Sequence, residues 1–224
     1  FFCYAREDES FLNKLKAHLT PLRQQKLVDF WYDREISAGE EWEKAIKEQL
    51  ASAQIILLLI SSDFMASDYC YGVEMARALE RREMGEAQVI PIILRHVYWQ
   101  GDPLGKLQAL PTDGIPVTDP YWHTVDIAFA NVGIGVKKVA ENLQIENLLQ
   151  EARSLVVDNK NEEALRIIER AIKLNDSRDD IYWIQGNVLL SIDRFKEALD
   201  AYDKAENIGL SPIIDASSFY MNKG

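Results

Sequence analysis

Two kinds of hydrophobic pattern follow one another along this chain of 224 residues. In the first part, short apolar runs alternate with stretches in which apolar residues recur every three or four positions. Residues 10–25, for example, carry leucine at helical spacing from Leu12 to Leu22, whereas Ile55–Ile60 is apolar at every position. Such patterns predict an amphipathic helix and a strand that is buried on both faces of a sheet.

The first part of the chain therefore alternates predicted strands with predicted helices. The strands are expected at residues 1–4, 27–32, 55–60, 89–94 and 115–117. The helices are expected at about 10–25, through Trp42, Ile46 and Leu50, at about 69–82 and at about 124–142. This alternation predicts an α/β fold with a parallel sheet covered on both faces. Ligands of such sheets bind at the carboxyl ends of the strands, so a site is expected in the loops after Tyr4, Tyr32 and Ile60.

The second part of the chain, beyond about Ile145, has a helical repeat in place of strands. Ala164 and Ala171 recur 34 residues later as Ala198 and Ala205. This period, with small residues where helices would touch, resembles the tetratricopeptide repeat. The second repeat carries the fuller set of matching positions: Tyr182, Gly186, Leu189, Phe195, Ala198, Tyr202 and Ala205. We therefore predict domains at 1–144 and 145–224, the second an all-α array of helical hairpins.

Both ends of the chain are typical of a piece of a longer protein. Residues 219–224 look like the opening of a third repeat that stops before its second helix. Because stacked repeats need about three units for stability, we expect the natural array to continue. The first residue is Phe1 and not a methionine.

Composition and charge limit the classes of partner. With 47% hydrophobic residues the chain can form a globular core, and its net charge is −11. A negative protein without a basic run repels nucleic acid and anionic bilayers, so we expect neither as a partner. The longest apolar run is far shorter than the ~20 residues of a membrane-spanning helix. Cys3 and Cys70 are far apart and predict reduced thiols in a cytoplasmic protein, and the scattered histidines predict no metal site.

Four segments of the first 144 residues follow one another in a recognisable order. They are FFCYARED at 1–8, WYDREISAGEEW at 31–42, the apolar strand 55–60 with the helix that reaches Glu74, and VIPIIL at 89–94. Together they resemble the TIR (Toll/interleukin-1 receptor) domain, a flavodoxin-like α/β fold. The resemblance covers essentially the whole of residues 1–144.

The resemblance implies an enzymatic activity. In enzymatic TIR domains, a glutamate on the helix after the third strand cleaves NAD⁺ at the bond between nicotinamide and ribose, and Glu74 matches that position. Cleavage builds positive charge on the ribose, which a carboxylate stabilises. Because nicotinamide is already a good leaving group, a second acidic residue is not required. Glu74 is thus the expected catalytic residue, with NAD⁺ as substrate and no cofactor; the alternative interpretation is a solvated helix glutamate.

Other residues are candidates for binding the substrate. Tyr4 would stack on a flat ring or else pack in the core, and Arg6 would meet a phosphate or the adenosine end. Asp33 and Ser37 lie on the loop that, by resemblance, borders the nicotinamide, although both residue types are also common in turns.

The aromatic position before Glu74 departs from the family pattern. Many active relatives carry a tryptophan four residues before the glutamate, where this chain has Cys70. Tyr69, one residue earlier, is the candidate to supply the aromatic contact instead.

Two functions remain open at this point. The first is an NAD⁺ glycohydrolase, with or without cyclase activity, used in bacterial immune defence or signalling. By resemblance, such TIR domains self-associate so that the loop 33–41 of one copy completes the site of the next, while the repeats bind a protein or other trigger. The second is a non-enzymatic adaptor in which both parts only bind proteins. The presence of Glu74 together with Tyr4, Arg6 and the Ser37–Gly39 loop favours the enzyme.

Overall fold

The chain forms two compact units, Phe1–Ala140 and Glu141–Gly224. The structure is a computed structural model that describes residues 1–33, 41–101 and 103–209. Most of these residues are helical, and the first unit also contains a small parallel sheet.

The sheet of the first unit has three parallel strands within the described residues. They are β1 Phe2–Cys3, β2 Ile55–Ile60 and β3 Gln88–Ile93, in the spatial order β1-β2-β3. The central strand pairs Leu57 with Phe2 on one side and with Ile90 on the other. The predicted strand at 55–60 is thereby confirmed, and the strand predicted at 89–94 is confirmed with its bounds shifted by one residue.

Helices follow each strand of this unit. They are α1 Glu9–Gln24, α2 Trp42–Ser52, the short α3 Ser62–Ala66, a π-helical turn Asp68–Glu74, α4 Met75–Glu83 and α5 Val125–Val157. Short 3₁₀ turns lie at Arg6–Asp8, Leu104–Lys106, Thr112–Gly114 and Pro120–Trp122. The helix predicted at 10–25 is confirmed as α1. The one predicted at 124–142 is longer than expected, and the one predicted at 69–82 begins as a π-helix.

Side chains of β2 alternate between two layers of core, because successive residues of a strand point to opposite faces. Leu57 and Leu59 join a cluster that includes Leu15 of α1 and Phe129 of α5. Leu58 and Ile60 join the cluster on the other face, with Leu50 of α2 and Ala78 of α4. Helices thus cover both faces of the sheet, as an α/β fold of the flavodoxin-like type requires.

The strand predicted at residues 27–32 is wrong. One backbone hydrogen bond joins it to the sheet, from Phe2 N–H to the Trp31 carbonyl at 3.3 Å. Aromatic contacts hold the segment in place: Trp31 stacks on Phe1 at 5.4 Å between ring centroids, and Phe30 lies against Phe2 at 5.8 Å. The apolar residues that suggested a strand therefore attach by their side chains and not through a ladder of backbone hydrogen bonds.

The short strand predicted at residues 115–117 is also wrong. The edge of β3 is instead occupied by an isolated bridge between Ile92 and Leu110 and by a hydrogen bond from Val117 N–H to the Ile93 carbonyl. Pro111 and Pro116 lie between these two contacts. Because proline has no N–H to donate, the segment cannot extend a regular ladder.

The second unit consists of helices in the described residues. They are the end of α5, α6 Asn161–Leu174, α7 Asp179–Ser191 and α8 Phe195–Ile208. The repeated small residues Ala164, Ala171, Ala198 and Ala205 are all buried in one core. A Cβ atom added at Gly186 would lie 2.3 Å from Cε1 of Tyr202, so α7 and α8 touch through this glycine. The assignment of tetratricopeptide repeats stays a prediction.

None of the described helices is both long and apolar enough to cross a membrane.

Candidate functional site

A cavity of about 440 Å³ opens at the carboxyl ends of β1 and β2. This is the edge at which ligands of parallel sheets bind. Its lining comes from the loops after β1 and β2, from the start of α2 and from the π-helical turn. The residues are Phe1, Phe2, Tyr4, Ala5, Arg6, Glu7, Asp33, Trp42, Ile46, Asp63, Ala66, Ser67, Tyr69, Cys70 and Glu74.

Glu74 is the last residue of the π-helical turn and is only 6% exposed. The Cys3 thiol, at the end of β1, donates a hydrogen bond to Glu74 Oε2 at 2.7 Å. Burial raises the pKa of the Glu74 carboxyl to about 8, while the hydrogen bond from Cys3 lowers it and the nearby Cys70 and Asp33 raise it further. A buried carboxyl group is thus held at the cavity wall. Its raised pKa lies close to neutral pH, so it gains or loses its proton there.

Tyr4 connects the end of β1 to the next loop. Its hydroxyl donates a hydrogen bond to Asp33 Oδ1 at 2.5 Å, and both residues line the cavity. Tyr4 is buried and its ring packs in the core, while its hydroxyl holds Asp33; stacking of the ring on a ligand stays a prediction.

The π-helical turn determines which side chains face the cavity together with Glu74. The Met75 N–H bonds to the carbonyl of Cys70, five residues back, as a π-helix requires. Residues five apart then lie one above the other, whereas in an α-helix they would point to different faces. Tyr69 therefore shares the cavity face with Glu74, and Cys70 lines the cavity as well.

An aromatic pair forms one wall of the cavity. Tyr69 lies against Trp42, at the start of α2, with ring centroids 4.8 Å apart. Trp42 remains 38% exposed, although it lies four residues before buried Ile46 on the same helix face. Sequence reasoning did not select Trp42 as a site residue. The signal was its place at the first turn of a helix whose buried face continues through Ile46 and Leu50.

An ionic cluster lies beside the cavity and was also missed from the sequence. Arg95, just after β3, binds the carboxylates of buried Asp8 and of Asp63, which lines the cavity. Ser61, at the end of β2, donates a further hydrogen bond to Asp8. These residues follow three different strands, so the cluster ties the ends of the strands together and fixes the floor of the cavity.

Comparison with known proteins bears on this arrangement. The TIR-domain family profile matches residues 1–117.

The chain belongs to the TIR-domain family.

A relative from Sinorhizobium fredii (strain NBRC 101917 / NGR234), named Uncharacterized protein y4lF, is 47% identical over 140 residues. That match covers 62% of this chain and 43% of the relative, so the chain spans less than half of the relative's length. No solved structure matches the chain significantly. TIR domains commonly self-associate, and some of them are enzymes that cleave NAD⁺.

The charges around the cavity of this TIR domain suit a ligand with a cationic part. Among the described lining residues, four are acidic, Glu7, Asp33, Asp63 and Glu74, and one, Arg6, is a cation. Asp63 is already paired with Arg95. The exposed Arg6 stands where it can meet an anion at the rim. In the described residues, no group of three or more His, Cys, Asp or Glu side chains is placed to hold a metal ion.

The predicted site residues that the structure describes thus converge. Tyr4, Arg6, Asp33, Tyr69, Cys70 and Glu74 all line the same cavity. Ser37 lies outside the described residues.

Proposed function

We propose that this TIR domain is an NAD⁺ glycohydrolase that breaks the bond between nicotinamide and ribose. The observation that supports the proposal is the setting of Glu74, a buried carboxylate on the wall of a cavity of about 440 Å³. Cavities of this size hold small ligands or part of a dinucleotide. Because no lysine or arginine of the described chain pairs with Glu74, the carboxylate is available to a positive charge that the substrate brings.

The reaction needs one carboxylate at the ribose. The bond from ribose C1′ to the nicotinamide nitrogen breaks, and its electron pair stays with the nitrogen, so that nicotinamide leaves as a neutral molecule. Glu74 stabilises the positive charge that develops on the ribose. Water then adds to C1′ and releases a proton, giving ADP-ribose; attack by a nitrogen of the adenine gives a cyclic ADP-ribose instead. NAD⁺ is the substrate, and no cofactor takes part.

In this proposal, other lining residues each bind a different part of the substrate. The aromatic pair Trp42 and Tyr69 offers ring faces for the nicotinamide or ribose. The Tyr69 hydroxyl is buried and has no hydrogen-bond partner among the described residues, so it is a donor for a ribose hydroxyl. Asp33, oriented by Tyr4, borders the same space, and Arg6 meets the pyrophosphate.

Self-association and the second unit supply the control of this activity in our proposal. TIR domains pack side by side and complete one another's sites, so that the activity appears only on assembly. The helical second unit binds a protein or other trigger that promotes assembly. A role in bacterial immune defence or signalling agrees with the bacterial source of the similar protein.

The test is NAD⁺ cleavage by the full chain at high protein concentration with a crowding agent. We expect the wild type to release nicotinamide and Glu74→Gln to release it at least about 100-fold more slowly, since the electrostatic stabilisation of the ribose is lost. Glu83→Gln, an exposed glutamate at the end of α4, is the matched control and should cleave like the wild type.

The same experiment separates the enzyme from the adaptor. Equal rates for Glu74→Gln and wild type would show that Glu74 is not catalytic. If the wild type releases no nicotinamide in samples whose self-association is verified by light scattering, the non-enzymatic adaptor is favoured. Chromatography of the second product tells linear from cyclic ADP-ribose.

A further inference from the structure

The two cysteines of this chain, 67 residues apart in sequence, meet beside the cavity. Cys3 Sγ lies 4.0 Å from the carbonyl oxygen of Cys70. In return, the Cys70 thiol donates a hydrogen bond of 3.4 Å to the carbonyl of Tyr4, the residue after Cys3. Each thiol thus touches the backbone next to the other, so the π-helical turn and the end of β1 are in direct contact.

The two thiols differ in access and in reactivity. Cys70 lines the cavity and is 7% exposed, whereas Cys3 is 1% exposed and is not part of the cavity lining. Contact with the Cys3 thiol lowers the pKa of Cys70 to about 7, and the Ser67 side chain acts in the same direction. Burial raises the pKa of Cys3 above its ordinary value. A reagent that enters the cavity therefore meets Cys70 first, and near neutral pH a substantial part of the Cys70 population is thiolate.

We propose that Cys3 and Cys70 form a redox-active pair, in which a hydroperoxide oxidises Cys70 and Cys3 then closes a disulfide. The Cys70 thiolate attacks one peroxide oxygen, the O–O bond breaks, and the leaving oxygen takes up a proton as water or an alcohol. Cys70 is then a sulfenic acid. The Cys3 sulfur attacks the Cys70 sulfur, the S–O bond breaks, and hydroxide leaves as water. The pair loses two electrons in total, and the peroxide gains them.

Glu74 links this pair to the TIR site. Its Oε2 lies 2.7 Å from Cys3 Sγ, and in its ionised form Glu74 is placed to accept the thiol proton when Cys3 attacks. In the disulfide form, Cys3 has no proton left to donate to Glu74. The consequence for catalysis rests on the proposed function: without the hydrogen bond from Cys3, Glu74 is no longer held in place, and NAD⁺ cleavage slows.

The test uses the full chain treated with hydrogen peroxide at pH 7.5 and then alkylated with iodoacetamide after unfolding. Reduced protein should accept two alkyl groups, one for each of its cysteines. Oxidised protein should accept none and weigh about 2 Da less, and dithiothreitol should restore both thiols. Peptide mapping should find Cys3 joined to Cys70. Two free thiols after treatment, a sulfinic acid at Cys70 without a cross-link, or a cross-linked dimer would each overturn the proposal.

Variants test the order of events. Cys3→Ser should accumulate a sulfenic acid at Cys70 that a 1,3-dione captures, whereas Cys70→Ser should keep Cys3 reduced. The opposite pattern would overturn the assignment of roles. Native alkylation of the wild type gives the same answer without a variant, since Cys70 should react first and Cys3 only after unfolding.

The mass measurement is independent of NAD⁺ cleavage. A disulfide in a protein that never cleaves NAD⁺ supports the thiol pair and counts against the proposed function alone. Cleavage without a disulfide overturns the thiol pair alone. Where both occur, the oxidised form should cleave NAD⁺ about tenfold more slowly, as expected for the loss of one hydrogen bond to a charged group. Equal rates would overturn the link through Glu74.

Discussion

At the scale of single residues, the fold and the proposed chemistry make opposite demands on Glu74. Burying an ionised carboxylate costs free energy unless a cation compensates it. In the described chain, the side-chain contact of Glu74 is the Cys3 thiol, and no lysine or arginine pairs with it. The folded protein therefore holds a proton on Glu74 at neutral pH, and a cationic nicotinamide in the cavity would take the place of that proton.

The first consequence concerns the free energy of unfolding. The pKa of Glu74 is about 8 in the folded protein against an ordinary value of 4.5. Between these values the folded state binds the Glu74 proton more tightly than the unfolded state does. The contribution of this group to the free energy of unfolding is therefore fully present below the unfolded-state pKa of 4.5 and is lost as pH rises toward 8. The loss is on the order of 1 kcal/mol per pH unit.

Glu74→Gln should remove this loss. We expect the variant to become more stable than the wild type as pH rises from 5 to 9, measured by urea unfolding at each pH. Other titrating groups contribute to both proteins, so the difference between the two curves reports mainly on Glu74. Parallel curves across this range would contradict the pKa assigned to the carboxyl.

The second consequence concerns catalysis. Because Glu74 acts as a carboxylate in the proposed reaction, kcat/KM for NAD⁺ should rise with pH up to about 8 and then level off. Below that pH the expected slope is about tenfold per unit, since kcat/KM follows ionisation of the free enzyme. A profile that is flat from pH 6 to 8 in assembled protein would exclude the titration of Glu74 as its cause.

Sequence reasoning at this scale found Glu74 and several neighbours in the cavity lining, but not the hydrogen-bond partner of Glu74 or the ionic cluster beside the cavity. The glutamate stands at a matched position of a family pattern, which a linear sequence displays. The contact with Cys3 joins residues 71 apart and depends on how β1 meets the π-helical turn. Arg95 was missed for the same reason, because its partner Asp8 is 87 residues away.

At the scale of secondary-structure elements, α2 contributes more to the cavity than its sequence suggested. Trp42 lies in its first turn and rests against Tyr69 of the π-helical turn. Two elements that are distant in sequence thereby build one aromatic wall. Such a wall binds flat rings through their faces and is sensitive to the loss of one ring.

Trp42→Ala should raise KM for NAD⁺ by about tenfold, which corresponds to the upper range of aromatic contact energies. Trp42→Phe retains a ring at the same position and should stay close to the wild type. Initial rates over a range of NAD⁺ concentrations distinguish the two variants. Unchanged KM in Trp42→Ala would show that the aromatic wall does not contact the substrate.

The two failed strand predictions have a common physical cause. A run of apolar residues indicates burial but does not show which backbone groups form hydrogen bonds. Phe30 and Trp31 pack their partly buried rings on Phe2 and Phe1, with one backbone hydrogen bond to the sheet. Prolines interrupt residues 110–118. The strands at 55–60 and 88–93 were predictable because the apolar runs 55–60 and 89–94 coincide with strands that are paired along their full length.

At the scale of the whole molecule, the chain divides into units with separate cores. The clusters around β2 belong to the first unit, and the cluster from Ile145 to Ala205 belongs to the second. The sequence predicts a division at about residue 145, from the end of the strand pattern and the start of a 34-residue period. The length of α5 was missed: the helix was predicted to end at about residue 142, where the sequence has no stop signal, and it continues to Val157.

Gly186→Ala should destabilise the second unit by about 1–3 kcal/mol, because the new methyl group would overlap the buried ring of Tyr202. Hydrogen–deuterium exchange should rise in α7 and α8 while exchange in β1, β2 and β3 stays unchanged. The matched control is Gly133→Ala in α5, where the nearest atom lies 3.9 Å from the added Cβ. Faster exchange in the three strands would contradict separate cores. Unchanged exchange in α7 and α8 would contradict the predicted overlap with the Tyr202 ring.

The π-helical turn Asp68–Glu74 also affects how this chain aligns with its family. A helix that gains one residue without disturbing its flanks accommodates it as a single π turn. Removing one residue between Tyr69 and Glu74 and closing the turn to an α-helix would bring Tyr69 to four residues before Glu74, the place of the family's tryptophan. In evolutionary terms, one inserted residue with the aromatic ring retained would give this arrangement. An alignment that counts positions back from the glutamate would record a lost aromatic at Cys70, whereas superposition by geometry would pair that tryptophan with Tyr69.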